Sequence, residues 1–236
     1  MIAAAKNLFK APTVFEIGPV PITETVWVTW WLIALLTVVA LYIRSRLSAK
    51  RPSGLQLALE GLVTWLDNEI RNIVGDRPGR YFPLIATLFL FVLALNLVSN
   101  IPVVESPTGD PATTVALALI VFLSVPFYGI VVKGVGGYFM NYLRPTPFML
   151  PLNIIGEISR TLSLAVRLFG NIMSGGLIVG VLVSIVPLVV PLFMMFLGLI
   201  TSVVQAYIFP VLAMVYIGGA VRLEQKRAMK LAKEST

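Results

Sequence analysis

The chain has 236 residues, of which 58% are hydrophobic and 12% charged, where an ordinary soluble domain carries roughly 25% charged residues. The formal net charge is +7, yet the basic residues cluster beside long apolar runs, a placement that signals membrane topology and anionic lipid rather than nucleic acid. Cys and His are both absent, which excludes disulfides, thiol chemistry, the commonest metal ligand and the usual physiological-pH switch, so neither a cofactor nor a metal site is expected.

Residues 1–24 carry Lys6, Lys10, Glu16 and Glu24, with Pro12, Pro19 and Pro21 breaking any long helix. No short apolar core with a small-residue cleavage site precedes the first long apolar run, which is therefore expected to be a retained helix. That first span covers 25–43, with Trp27, Trp30 and Trp31 as interfacial anchors at one end and Arg44, Arg46, Lys50 and Arg51 at the other. The basic cluster marks its end as cytoplasmic and the N-terminus as outside.

Over 53–74, Leu55, Leu59, Leu62, Leu66, Ile70 and Ile73 recur at spacings of three and four, interleaved with Glu60, Asp67, Glu69 and Arg71. The pattern predicts an amphipathic helix on the cytoplasmic surface. A soluble core helix is the alternative, but little soluble mass exists for it to pack against.

Span two covers 81–101 and leads into a loop with Glu105 and Asp110 and no Lys or Arg, which the positive-inside rule places outside. Span three covers 112–132, and a connector rich in Gly, Pro and aromatics follows over 134–151 on the cytoplasmic side. Two long apolar stretches close the chain, at 154–186 and 191–221. Each is too long to stand upright in a hydrocarbon core of about 30 Å, so both are expected to tilt steeply. Pro210 is a candidate kink, and residues 222–236 form a basic cytoplasmic tail. The fold expected is an all-α polytopic membrane protein in one membrane domain, 1–236: about five membrane-embedded helices plus the surface helix.

Arg167 lies well inside the fourth span. A guanidinium stays charged at any reachable pH, and at a bilayer centre it costs roughly 2.5–3.5 kcal/mol on insertion scales. Arg160, Ser163, Arg167, Asn171, Ser174 and Ile178 share one helix face, and such a strip faces protein or water rather than lipid. On the fifth span, Gly198, Ser202, Gln205, Phe209, Leu212 and Tyr216 form a matching stripe that can bring Gln205 to the depth of Arg167. Gln205 could equally be interhelical hydrogen-bond glue. A structural pair between Arg167 and Glu157 is the other bland reading. Ten positions along one helix separate these two by about 15 Å, so a partner on another chain fits Arg167 better.

These residues carry a resemblance. Ser163-Leu-Ala-Val-Arg167-Leu-Phe-Gly-Asn171, then Gln205-Ala-Tyr-Ile-Phe209 and Tyr216-Ile-Gly218, resemble subunit a in the membrane (Fo) sector of rotary F-type ATP synthases. The stretches Arg144 to Asn153 and Thr113 to Leu119 resemble its bacterial and chloroplast forms. The resemblance implies a non-catalytic stator channel with two offset half-channels, in which Arg167 faces the carboxylates of a c-subunit ring and blocks a direct leak. It implies that Asn171, Gln205, Ser163 and Ser174 serve the ion path with Glu157 on the cytoplasmic route, and that ATP chemistry sits in partner subunits.

The implied partners are the c ring, peripheral-stalk b subunits, other ATP synthase subunits and lipid. The implied location is a bacterial plasma (inner) membrane, with the C-terminus cytoplasmic. The chain departs from the family where relatives place acidic groups or His: it reads Ser174-Gly175-Gly176 after the Arg motif and Gly198 further on. Asn96, Ser99, Asn100, Glu105, Ser202 and Tyr216 are the residues left to line the half-channels. The coupling ion is then H+ or Na+. A secondary transporter and an assembly scaffold are the rival classes. The first would require internal repeats and broken helices at the midplane, and no convincing repeat is present.

Overall fold

The computed structural model describes residues 13–17, 20–46, 54–75, 78–101, 106–142, 149–185 and 189–234. The first described element is a β-hairpin, β1 (Thr13–Ile17) paired antiparallel with β2 (Val20–Thr23), Ile17 opposite Val20 and Phe15 opposite Ile22. Sequence reading expected only that prolines would keep this region from being helical. Pro21 stops a helix, and the β-branched and aromatic residues around it favour extended backbone.

Among the described residues six α-helices follow: α1 (Glu24–Arg46), α2 (Gly54–Val74), α3 (Phe82–Val98), α4 (Pro111–Tyr142), α5 (Met149–Ile185) and α6 (Val189–Glu234). Four contain stretches long and apolar enough to cross a membrane, at Glu24–Arg46, Pro111–Val132, Leu150–Val183 and Leu192–Val221, and α3 is a shorter apolar helix. The protein is an all-α polytopic membrane protein with a small N-terminal hairpin.

Helix α1 is held mainly at its first turn. Thr25 Oγ1 donates to Asp110 Oδ2 at 2.7 Å, and Leu32 is buried, while Trp27, Trp30, Trp31 and most of the following apolar side chains stay exposed. Such a surface belongs against lipid or partner helices. Helix α2 is amphipathic, and its apolar face packs onto protein rather than lying only on a membrane surface. Leu66, Ile70 and Val74 are buried against α3 and α6, with Ile70 at 0% exposure. Trp65 completes the contact with ring centroids 6.0 Å from Phe89 and 5.5 Å from Tyr207.

Helix α3 is shorter than the expected 81–101 span. Its 17 residues end at Val98, and Ser99 and Asn100 form a turn closed by Asn100 N–H to the Leu97 carbonyl at 3.1 Å. Seventeen residues reach about 25 Å, slightly less than a hydrocarbon core. The inward face repeats every three or four residues: Ile85, Leu88, Phe89, Val92, Leu95 and Asn96. Helix α4 runs ten residues past its expected end at 132, with a break at Gly134, where φ is +73°. Only glycine reaches that backbone region without steric strain. The turn brings the Tyr138 ring over Gly129, where a Cβ would meet Tyr138 Cε2 at 2.5 Å. The stretch read as a cytoplasmic connector from 134 is therefore helical again up to Tyr142.

Helices α5 and α6 hold 37 and 46 residues, about 55 and 69 Å of helix, so both must lean or project far beyond a bilayer core. Helix α6 passes through Pro210 without a break and continues through most of the basic tail, up to Glu234. Proline removes one backbone donor there, and burial of Pro210 among neighbouring helices makes the position tolerable. Helix α6 is the central strut, touching α2, α3, α4 and α5. Ala206, Phe209, Ala213, Met214 and Ile217 form its buried face, the small residues letting neighbouring backbones approach.

Candidate functional site

Helix α5 buries Leu164, Ala165 and Leu168, so a helical period of 3.6 turns Ser163, Arg167 and Ser174 onto an exposed flank, with Asn171 half-buried between core and flank. The Ser174 hydroxyl donates to the Asn171 carbonyl at 3.2 Å, a local bond that leaves the amide of Asn171 out of it. Among the described residues, no carboxylate pairs with Arg167. The guanidinium therefore projects from the molecule uncompensated, in a segment apolar enough to cross a membrane.

Helices α5 and α6 are consecutive, and Arg160 lies over the Tyr216 ring with its Cζ 5.6 Å from the centroid. They therefore run antiparallel, and stepping along both from that contact brings Arg167 level with Phe209 and Asn171 level with Gln205. Gln205 is 6% exposed whereas Arg167 is exposed, so Arg167 points outward and Gln205 inward.

Two polar clusters flank Arg167 along this helix pair. On the side of the 3-10 turn Pro107–Gly109, Asn96 Nδ2 donates to the Ser202 carbonyl at 3.3 Å, and Asn100 Nδ2 donates to Ser202 Oγ at 2.7 Å and to the Asn96 carbonyl at 2.8 Å. Ser99 and Thr108 hydroxyls bond each other at 2.8 Å. Asn96 Oδ1 and Gln205 Nε2 are buried without a hydrogen-bond partner among the described residues. A buried orphan acceptor and a buried orphan donor each call for water, since unpaired buried polar groups are rare and destabilising. Gly198 leaves room here, because a Cβ at that position would lie 2.8 Å from Asn100 Oδ1 and the Asn100 side chain would have to shift. Asn100 thus occupies the room that a side chain at position 198 would take.

On the other side, Glu157, Arg160, Thr161 and Tyr216 line a cleft with Val121, Phe122 and Val125 of α4. Its free space of about 20 Å³ suffices for one water.

The structure therefore gathers Asn96, Ser99, Asn100 and Ser202 into one cluster, buries Gln205 one turn further along α6, and leaves Tyr216 out of it, beside Glu157 in the second. Ser163 and Ser174 share the outward flank with Arg167. Glu105 lies outside the described residues. Sequence reading missed Thr108, which is fully buried against Ser99; only the turn-forming Ser106-Pro-Thr-Gly-Asp-Pro run around it hinted at a structured loop. It also missed the bond from Tyr207 Oη to Glu69 Oε1 at 2.7 Å, which joins residues 138 positions apart and which no periodicity could announce. Among the described residues, no three acidic, His or Cys side chains gather as a metal site.

Comparison with known proteins gives a consistent result. The family model described as ATP synthase A chain matches residues 26–218. The chain is 46% identical over 221 residues to "ATP synthase subunit a 2" of Acaryochloris marina, covering 93% of this chain and 94% of that one. It is 48% identical over 199 residues to "ATP synthase subunit a 1" of Crocosphaera subtropica, 84% and 86% covered. It is 48% identical over 206 residues to "ATP synthase subunit a" of Albidiferax ferrireducens, with 87% and 89% covered.

Proposed function

The chain belongs to the ATP synthase A chain family, and from that premise we propose that it is the static ion channel of an Fo motor, working beside the other subunits of the synthase. It holds two offset aqueous routes to the carboxylates of a c-subunit ring, and Arg167 keeps them apart. The observation that carries this reading is the position of Arg167: exposed, without a carboxylate of its own among the described residues, and flanked by two polar clusters on the same helix pair.

The physics follows from charge. A ring carboxylate arriving in its ionised form meets the guanidinium in a low-dielectric setting and is held by it. A carboxylate still neutralised by its ion gains nothing from Arg167, so passage requires that the ion first leave. Because Arg167 cannot deprotonate, it interrupts any continuous chain of water between the two routes. Asn171 and Gln205, level with each other, solvate the passing site, while Ser163 and Ser174 extend the polar flank.

Asn96, Ser99, Asn100, Ser202 and Thr108 line the outer route, and Glu157 and Tyr216 mark the inner one. The chain acts as a single membrane domain in a bacterial plasma membrane, N-terminus outside and C-terminus cytoplasmic. It carries out no ATP chemistry itself. The outward charges of α2 and the basic tail meet peripheral-stalk b subunits or lipid headgroups.

Among the described residues, the side chains of the outer cluster offer amide and hydroxyl groups. Neutral oxygens of this kind suit a hard cation such as Na+ as well as a hydrogen-bonded water chain carrying H+. ATP-driven uptake by the reconstituted complex in sealed vesicles separates the two. Acidification without Na+, abolished by a protonophore, identifies H+; accumulation of labelled Na+ that survives the protonophore identifies Na+. Arg167→Ala in the same assay is expected to abolish coupled uptake while the complex still assembles. Normal coupled uptake by Arg167→Ala removes the proposed role.

A further inference from the structure

Arg160 stands two helical turns from Arg167, about 10.5 Å along α5 and rotated by only about 20°, so both guanidiniums issue from one face of the helix. Two like cations on a face that a ring carboxylate sweeps would compete for it. A carboxylate captured by Arg160 would stop short of Arg167. The structure separates the two cations by different contacts. Arg167 projects outward with no partner among the described residues, whereas the Arg160 guanidinium is turned onto the Tyr216 ring, with Cζ 5.6 Å from its centroid. That distance is within the range in which an aromatic quadrupole attracts a cation. Glu157, one turn earlier on α5, borders the same cleft with Thr161 and adds negative charge on that side.

We infer that Tyr216, on the assignment of Arg167 given above, is a positioning residue: its ring parks Arg160 in the cleft between α4, α5 and α6 and so leaves Arg167 as the cation the ring carboxylate meets. The ring face does this, not the hydroxyl. Losing a cation–π contact of ordinary strength releases Arg160 by about fivefold in population.

The test uses the whole reconstituted complex and reads ions taken up per ATP hydrolysed. Tyr216→Leu is expected to lower that ratio about fivefold. Tyr216→Phe recovers most of the loss, because the ring face is kept. Adding Arg160→Gln to Tyr216→Leu also restores coupling, because no second cation remains to be parked. A merely structural role for Tyr216 would not be rescued by removing a different side chain. Should Tyr216→Leu fail to assemble, a ring-fluorinated phenylalanine at 216 keeps the shape of Phe while weakening the quadrupole, and it is expected to reproduce the loss that Phe avoids.

Undiminished coupling in Tyr216→Leu, a double variant no better than Tyr216→Leu, or equal coupling with Phe and its fluorinated analogue each overturns the inference. Arg167→Ala tests the underlying assignment separately. If Arg167→Ala uncouples the complex and the Tyr216 series shows no effect, the channel reading stands and the parking of Arg160 does not.

Discussion

Gly198→Ala is the most direct probe of the polar cluster formed by Asn96, Asn100 and Ser202. The added Cβ would lie 2.8 Å from Asn100 Oδ1, whereas even a favourable carbon–oxygen contact needs about 3.3 Å. The Asn100 amide must therefore retreat by roughly half an ångström. Its Nδ2 makes bonds of 2.7 Å to Ser202 Oγ and 2.8 Å to the Asn96 carbonyl, and such a shift stretches them towards the outer edge of good hydrogen-bond geometry, about 3.2 Å. Side-chain hydrogen bonds between membrane helices average about 0.6 kcal/mol and reach about 1.7. Weakening both costs the cluster about 1–2 kcal/mol.

If the cluster lines the ion path, initial rates of ATP-driven ion uptake fall about five- to thirtyfold in the reconstituted complex. In an Asn100→Ala background the same Gly198→Ala substitution meets no amide, so it causes no further fall. A rate for Gly198→Ala within a factor of two of the parent refutes the reasoning, as does an equal loss in both backgrounds.

Other consequences follow from packing. Ile70→Ala empties a fully buried site shared by α2, α3 and α6, and should destabilise the protein by about 2–5 kcal/mol. Thermal unfolding of the purified complex checks this, and a loss under about 1 kcal/mol would mean that α2 is not part of the core. Tyr207→Phe keeps the contact with Trp65 but removes the donor to Glu69, a bond to a charged group worth about 1.5–3 kcal/mol. Combined with Glu69→Gln, its effect on thermal stability should be less than additive. Simple additivity of the two would show that the bond carries no energy.

The sequence alone decided that this chain lives in a membrane, because apolar runs longer than a bilayer is thick have no other stable solvent. It also decided that the last two helices exceed an upright span, and it exposed Arg167, since a permanent charge amid apolar residues stands out at any resolution. The family resemblance lay in that same continuous motif.

What needed tertiary structure was everything set by contacts between distant segments. Asn96 and Ser202 lie 106 positions apart, and nothing local states that they bond or that Asn100 fills the space left by Gly198. Periodicity showed that α2 has an apolar face but not that Ile70 and Trp65 turn it onto α3 and α6 instead of lipid. Both surfaces are equally apolar, so the choice between them is one of shape complementarity. Helical spacing put Arg160 and Arg167 on one face. Only the packing of α6 against α5 turns one guanidinium onto an aromatic ring and leaves the other free to meet a partner.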